Sequence, residues 1–382
     1  MAHSRKITGI ALSFALVVVA APPSAAAQRQ EPVRITRFLG EQRIAHLATY
    51  EGTTVGGLSG LDRDPGTGTW YLISDDRWRY NPARFYTGRL DINRETGEFT
   101  GVRLTGVTTL TRADGTPYPA YGKAGSADPE SIRLDPWSGR LLWGDEGDRP
   151  DPRNPNIPVS QSAVHTADLE GRSTGELPVP ANLRLTDAER GPRRNFGFEG
   201  LAVTERTVTA VTEGPRFEDG PVPTAERGSP ARLTVWNRRG QVRGQYAYPL
   251  DRLPTPPKPA TGDADSGVSE ILPIDEHRYL ALERSWIQGV GYRVKLYEID
   301  VRGATNVLGR DSLTGDPYWP VSKRLVHNLG DFRPPVQNLE SMSWGPRLAS
   351  GECTLVIGSD DNFDGSEATL FMAFAATGCR RG

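Results

Sequence analysis

The sequence predicts an all-β protein, a β-propeller built of four-stranded blades about 70 residues long. Three observations carry that prediction. Five short segments look alike: Leu58-Ser-Gly-Leu-Asp62, Pro129-Glu-Ser-Ile-Arg133, Phe198-Glu-Gly-Leu-Ala202, Val268-Ser-Glu-Ile-Leu272 and Leu339-Glu-Ser-Met-Ser343. Aligned at Ser59, Glu130, Glu199, Ser269 and Glu340, they fall 71, 69, 70 and 71 residues apart, and a fixed period marks a repeat architecture. Each is followed by a second apolar run ending in acid, at Asp75-Asp76, Asp145-Glu146, Glu213, Glu283 and Asp360-Asp361. Around these lie short β-branched and aromatic runs, punctuated by turns drawn from 42 Gly and 31 Pro, as all-β chains require.

Taken in order, residues 1–27 read as a secretory leader. Arg5 and Lys6 form its positive start, residues 7–21 its apolar stretch and Ala25-Ala26-Ala27 its small-residue cleavage site. A retained anchor is the alternative, but the apolar run falls short of the roughly 20 residues a spanning helix needs. Arg5-Lys6 lacks the arginine pair of a twin-arginine signal, which leaves the export route open. Residues 28–382 are then expected to form a single propeller domain, secreted or periplasmic, with no membrane contact after cleavage.

Within that domain, residues 34–39 and 43–48 are strand-like and precede the first repeat. The second repeat reads as strands at 131–135, 140–144, 163–169 and 174–179, with a turn at Pro136-Trp-Ser-Gly139. The third reads as 200–204, 207–212, 232–237 and 241–248; the fourth as 270–274, 279–283 and the alternating 292–301. Four strands per repeat around an axis is the pattern of a propeller blade. The last repeat holds only 340–344, 354–358 and 369–375 before the chain runs out. The N-terminal stretch can supply its missing outer strand, closing the ring and removing an aggregation-prone sheet edge. Five blades result, with room for a degenerate sixth in 302–335. Proline-rich stretches at 149–158, 214–230, 254–265 and 314–320 read as surface loops, where binding residues tend to sit.

Composition excludes several function classes. A formal charge of −2 without basic runs gives no footing for nucleic acid. There is no Gly-x-Ser-x-Gly elbow, no phosphate-loop lysine motif, no dinucleotide fingerprint and no Arg-His-Gly triplet. His46, His165, His277 and His327 show no ligand spacing. Trp70, Trp143, Trp286 and Trp344 are expected to pack between blades. Cys353 and Cys379 flank a predicted hairpin, and an oxidising compartment would let them pair; two unpaired thiols are the other reading.

The candidate chemistry lies in the repeated acids. In a propeller the innermost strands line a central channel, so Glu130, Glu199, Glu270 beside Ser269, and Glu340 are expected to crowd one mouth. Two like charges 4 Å apart cost about 4 kcal/mol at an effective dielectric near 20. Bound cations, shared protons or pairing with Arg133, Arg216 or Arg284 would relieve it. Oxygen ligands favour Ca²⁺ or Mg²⁺ over zinc. The expected cation ligands are Glu130, Glu199, Glu270, Glu283, Glu340, Asp75, Asp145 and Asp361. Two plainer readings stand beside this one: a repeated Glu can set register by bonding the next blade's backbone, and Asp at strand ends often forms turns.

Asn195-Phe-Gly-Phe-Glu-Gly-Leu-Ala202, Ser269-Glu-Ile-Leu-Pro273 with Leu280-Ala-Leu-Glu-Arg-Ser285, and Asn338-Leu-Glu-Ser-Met-Ser-Trp344 with Ile357-Gly-Ser-Asp-Asp-Asn-Phe363 resemble the secreted phytase-like, "esterase-like activity of phytase" family. The resemblance runs from about residue 34 to 375. It implies a propeller-like repeat domain and a phosphoester-hydrolysing activity carried by Glu130, Glu199, Glu270, Glu283 and Glu340; Ser59 departs from the pattern. The expected enzyme is an exported, metal-dependent hydrolase of small phosphorylated or ester substrates. In it Glu199, Glu340 and Glu130 are catalytic and Arg284 contacts phosphate through its planar fork. A non-enzymatic ligand- or protein-binding propeller, or a lactonase- or sugar-dehydrogenase-like one, is the alternative. Oligomeric state stays open.

Overall fold

The computed structural model describes residues 1–3, 31–331 and 336–379, so most of the expected leader, residues 4–30, lies outside the described residues. Pro32–Gly382 forms one compact unit. Its described strands assemble into five four-stranded antiparallel sheets and one small two-stranded hairpin, Thr49–Tyr50 with Thr53–Thr54. Blade 1 comprises Gly60–Arg63, Trp70–Ser74, Arg84–Ile92 and Phe99–Thr109. Blade 2 comprises Pro129–Asp135, Arg140–Asp145, Ala163–Ala167 and Ser173–Glu176. Blade 3 comprises Phe198–Val203, Thr207–Thr212, Ser229–Asn237 and Val242–Leu250, and blade 4 Ala264–Pro273, Arg278–Ile287, Gly291–Asp300 and Ser322–Asn328. Blade 5 takes Asn338–Trp344, Cys353–Asp360 and Thr369–Thr377 from the end of the chain and its outer strand, Arg34–Ile44, from the beginning.

The innermost strands touch in the order blade 1, 2, 3, 4, 5 and back to 1, which makes the ring a closed five-blade propeller. Closure happens as the sequence predicts: Arg34–Ile44 pairs antiparallel with Thr369–Thr377, from Arg34 opposite Thr377 to Ile44 opposite Thr369. The two predicted N-terminal stretches are therefore one continuous strand, bent by two register shifts. The space reserved for a sixth blade holds the outer strand of blade 4, Ser322–Asn328. A disulfide joins Cys353, which opens the second strand of blade 5, to Cys379, just past the third.

Strand periodicity explains the core. Successive side chains of a strand point to opposite faces, so each blade packs a different set of residues against each neighbour. Trp70 and Leu72 face blade 5, where Phe371, Ala373 and Ala375 meet them. Tyr71 and Ile73 face blade 2, against Ile132, Leu141 and Trp143. Leu142, Phe198 and Trp236 fill the 2–3 interface; Val211, Leu233, Ile271 and Tyr279 fill the 3–4 interface. Leu280, Leu296, Met342 and Phe374 fill the last. Among the described residues, helix is confined to three single turns, Ala181–Leu183, Phe217–Asp219 and Leu329–Asp331. No helix among the described residues is long and apolar enough to cross a membrane.

The channel is plugged. Arg133, 2 % exposed, sits among the inner strands and donates to the carbonyls of Leu61, Ile132, Leu201 and Ile271, which belong to blades 1 to 4. Its charge is met by Glu270 Oε2 at 2.7 Å. On one side of this plug opens a cavity of about 980 Å³. On the other lies a separate pocket of about 440 Å³ lined by Trp137, Trp344 and Pro273.

Candidate active site at one mouth of the channel

Local backbone irregularity aims the acids inward. The inner strands of blades 2 to 5 each break register at the aligned residue: between Pro129 and Ser131, Phe198 and Leu201, Val268 and Glu270, and Leu339 and Ser341. A bulge leaves its residue unpaired and turns the side chain out of the pleat. Glu130, Glu199, Ser269 and Glu340 are those residues, and Ser59 holds the same place just before the inner strand of blade 1. Glu130, Glu199 and Glu340 line the 980 Å³ cavity.

A second tier comes from the ends of the second strands. Asp75 N–H donates to Gly57 O, Glu146 N–H to Asp128 O and Glu213 N–H to Gly197 O. In blade 4 the residue opposite Gly267 is Arg284, and in blade 5 the residue opposite Asn338 is Asp360. This register corrects the sequence-based alignment. Four blades place an acid at this level (Asp75, Glu146, Glu213, Asp360) and blade 4 places Arg284. Glu283, one residue earlier, faces away because adjacent residues alternate sides. It bonds Tyr248 Oη at 3.0 Å, the Asp251 amide at 3.0 Å and Lys323 Nζ at 2.5 Å, a network within and beside blade 4 that lies off the cavity.

Other expected ligands also sit elsewhere. Glu270 lies at the plug, where it pairs with Arg133 and accepts from the amides of Leu201 and Ile271. The plainer reading holds there: this Glu ties its blade to the backbone of the next. Asp145 accepts from the amides of Asp128 and Gly147, and Asp361 from those of Gly57 and Phe363; both shape turns. Arg216 pairs with Glu218 and Asp219, off the cavity. Of the tryptophans, Trp70 and Trp143 pack between blades, as does Trp344, which packs against the blade 4–5 cluster while also lining the opposite pocket; Trp286 lines the cavity.

Six residues join the site that sequence reasoning did not place there: Asp128, Glu146, Glu213, Asp265, Asp360 and Arg77. Asp128 stands two residues before Glu130, where blades 1, 3 and 4 have Gly57, Gly197 and Gly267. These glycines let the neighbouring acid approach. A Cβ on Gly267 would lie 2.3 Å from Glu213 Cγ, and one on Gly197 2.1 Å from Glu146 O.

Carboxylates dominate the electrostatics. Oxygens of Asp128, Glu130 and Glu146 lie within 4.8 Å of one another, as do those of Glu146, Glu199 and Glu213. Burial, and then mutual repulsion, pushes Glu130, Glu146, Glu199, Glu213, Asp75 and Asp360 well above the ordinary carboxylate range. Burial raises Glu340 too, with Arg284 working against it. Two guanidiniums answer. Arg284 Nη2 is 2.6 Å from Glu213 Oε1, and its Nε is 3.5 Å from Glu340 Oε1. Arg77 grips both oxygens of Asp128, with Glu146 Oε2 3.4 Å away. Burial opposes both charges, but the surrounding acids outweigh it and hold each arginine raised.

The rim is strained. Arg77, Trp78, Asn195, Asn362 and Phe363 all have φ between 45° and 62° and all line the cavity. Such left-handed backbone is costly for non-glycine residues and gathers at functional sites.

An all-oxygen donor set suits a hard divalent cation. Glu213 Oε2 is buried and has no hydrogen-bond partner, an orphan that a cation would satisfy. The buried acidic clusters can therefore hold a metal ion.

The family model described as "Phytase-like: Esterase-like activity of phytase" matches residues 53–363. No curated protein matches the chain in sequence. Among solved structures, a Dyadobacter fermentans protein of unknown function is 12% identical, with 83% of this chain and 75% of that one covered and a TM-score of 0.35. The periplasmic gluconolactonase of Pseudomonas aeruginosa is 11% identical, with 86% and 88% covered and a TM-score of 0.36.

Proposed function

Because the chain belongs to the phytase-like family, and that membership fits a hydrolase-type propeller, we propose that it is an exported, metal-dependent phosphoester hydrolase. The observation that carries this reading is the gathering of acids from all five blades around one cavity, against which the described lining sets three basic side chains, Arg77, Arg79 and Arg284, the first and last of them paired to the acids. Phosphate esters are anionic, so a cavity this acidic excludes them unless cations are present. The trios Asp128–Glu130–Glu146 and Glu146–Glu199–Glu213 are the groups that would hold Ca²⁺ or Mg²⁺. When bound, such an ion offsets phosphate charge and polarises a P–O bond.

The chain's own side chains supply the rest. Arg284, fixed by Glu213 and Glu340, presents donors toward the cavity for a phosphate oxygen. Glu199, Glu340 and Glu130 line the same space and are the carboxyls that take and return a proton during hydrolysis. Trp286 and Tyr292 on the wall give the non-phosphate part of a small substrate an apolar surface. Secretion or export to a periplasm follows from the leader-like N-terminus. Neither nucleic acid nor membrane is a partner.

The test is a panel of phosphomonoesters and phosphodiesters on purified protein, with EDTA and Ca²⁺ arms. Turnover should vanish on chelation and return with Ca²⁺. A Glu199→Gln/Glu340→Gln double variant that still turns over substrate robustly would remove the proposal.

A further inference from the structure

Arg77 differs from Arg133 and Arg84, two fully buried arginines of the inner structure. Arg133 is locked by four carbonyls and Glu270. Arg84 is locked by Asp76, the Tyr86 hydroxyl and the Thr54 carbonyl. Arg77 instead hangs from the rim, its side chain 25% exposed, and bonds only side chains: both oxygens of Asp128, Glu146 Oε2, and Asn195 Oδ1 at 3.3 Å. Its own backbone is left-handed at φ 50°, followed by Trp78 at 62°. The Tyr121 ring lies on the cavity side, 5.8 Å from the guanidinium carbon.

Resting on the cation reading above, we propose that Arg77 is a resident counter-ion. It occupies the acids built around Glu146 until a divalent cation arrives, and then turns into the cavity as a ligand for the substrate's oxyanion. The reasoning is competitive. Asp128 and Glu146 are members of the cation-holding trios, and a guanidinium on their oxygens repels a cation seeking the same oxygens. Glu213 Oε2, buried and without a hydrogen-bond partner, shows that the arginines leave part of this acid set unsatisfied, so a cation gains a ligand that Arg77 cannot reach. Once displaced, Arg77 needs a new anion. Asn195 and Tyr121 mark where it would turn, beside Glu130 and Glu199 on the cavity wall.

Thermodynamic linkage makes this testable without turnover. If cation binding frees Arg77 for an oxyanion, the oxyanion must tighten cation binding by the same factor. The experiment is calorimetric titration of Ca²⁺ into metal-stripped full-length protein, with and without sulfate as the oxyanion probe, for wild type and Arg77→Gln. Without sulfate, Arg77→Gln should bind Ca²⁺ on the order of tenfold more tightly, the worth of a charge-assisted bidentate competitor. Sulfate should tighten Ca²⁺ binding in wild type and not in the variant. Arg77→Lys, which keeps the charge but loses the fork, should fall between the two and guards against Arg77→Gln failing to fold. Ca²⁺ affinity unchanged or weakened in both variants, or sulfate coupling as strong as wild type in Arg77→Gln, overturns the role of Arg77 alone. No Ca²⁺ binding by wild type or variant overturns the cation reading and this proposal with it.

Discussion

At the residue scale, close backbone approach decides which acids reach the centre. Gly267 faces Glu213 so tightly that a methyl group would overlap both its Cγ, at 2.3 Å, and its carbonyl oxygen, at 2.8 Å. The carbonyl belongs to backbone and cannot swing aside. Gly267→Ala should therefore cost about 1–3 kcal/mol as an overpacked site, read as a lower urea midpoint at unchanged slope; a midpoint equal to wild type would show that the two strands can separate freely. Glu213 itself was visible in the sequence only as the end of an apolar run. Its place in the site came from the register that sets it opposite Gly197. Asp145-Glu146 makes the same point: two adjacent acids point to opposite sides, and only the pairing shows that Glu146 is the inward one.

At the scale of elements, the second and third strands of blade 5 are held by both covalent and hydrogen-bonded closure. Cys353 and Cys379 are 26 residues apart in sequence. A cross-link of that span removes enough unfolded-chain entropy to contribute roughly 3–4 kcal/mol. A Cys353→Ala/Cys379→Ala variant should lose about that much in denaturant unfolding while keeping its β-sheet circular dichroism. A loss under roughly 0.5 kcal/mol would mean that the pairing with Arg34–Ile44 already restrains the strand pair. The sequence foresaw this blade well, because its last repeat was visibly one strand short. It misjudged the N-terminal segment as two pieces, since a bulge interrupts alternation without ending the strand.

At the scale of the whole molecule, the ring stores electrostatic strain that pH and cations should reveal together. Burial lifts Glu270 from 4.5 to about 7, with Arg133 holding it from rising further, and the acids of both tiers are raised in the same direction. A carboxyl whose folded pKa lies above its unfolded one binds more protons in the fold. Its favourable contribution is complete below the unfolded value and is lost as pH climbs through the folded one. For Glu270 that window runs from 4.5 to about 7, and the loss is on the order of 3 kcal/mol. In EDTA the melting temperature should fall steadily from pH 5 to pH 8, and Ca²⁺ should restore much of the difference at pH 8. A flat or rising profile in EDTA would contradict the buried-carboxylate account.

The repeat period, the strand composition and the short final unit were enough to predict a closed propeller, because spacing and binary pattern are local properties of a chain; they favoured five blades but left a sixth open in 302–335, which the structure gives to blade 4. The same period picked out Glu130, Glu199 and Glu340, since equivalent positions in a ring face one axis. Tertiary structure alone decided the rest. It sent Glu270 to the plug and Glu283 to Lys323, put Arg284 where four blades have acids, and brought Arg77 and Asp128 across from neighbouring blades. These assignments turn on one-residue register and on contacts between blades. A shift of one position reverses the face a side chain presents, and nothing in a linear sequence records which of two adjacent acids the pairing turns inward.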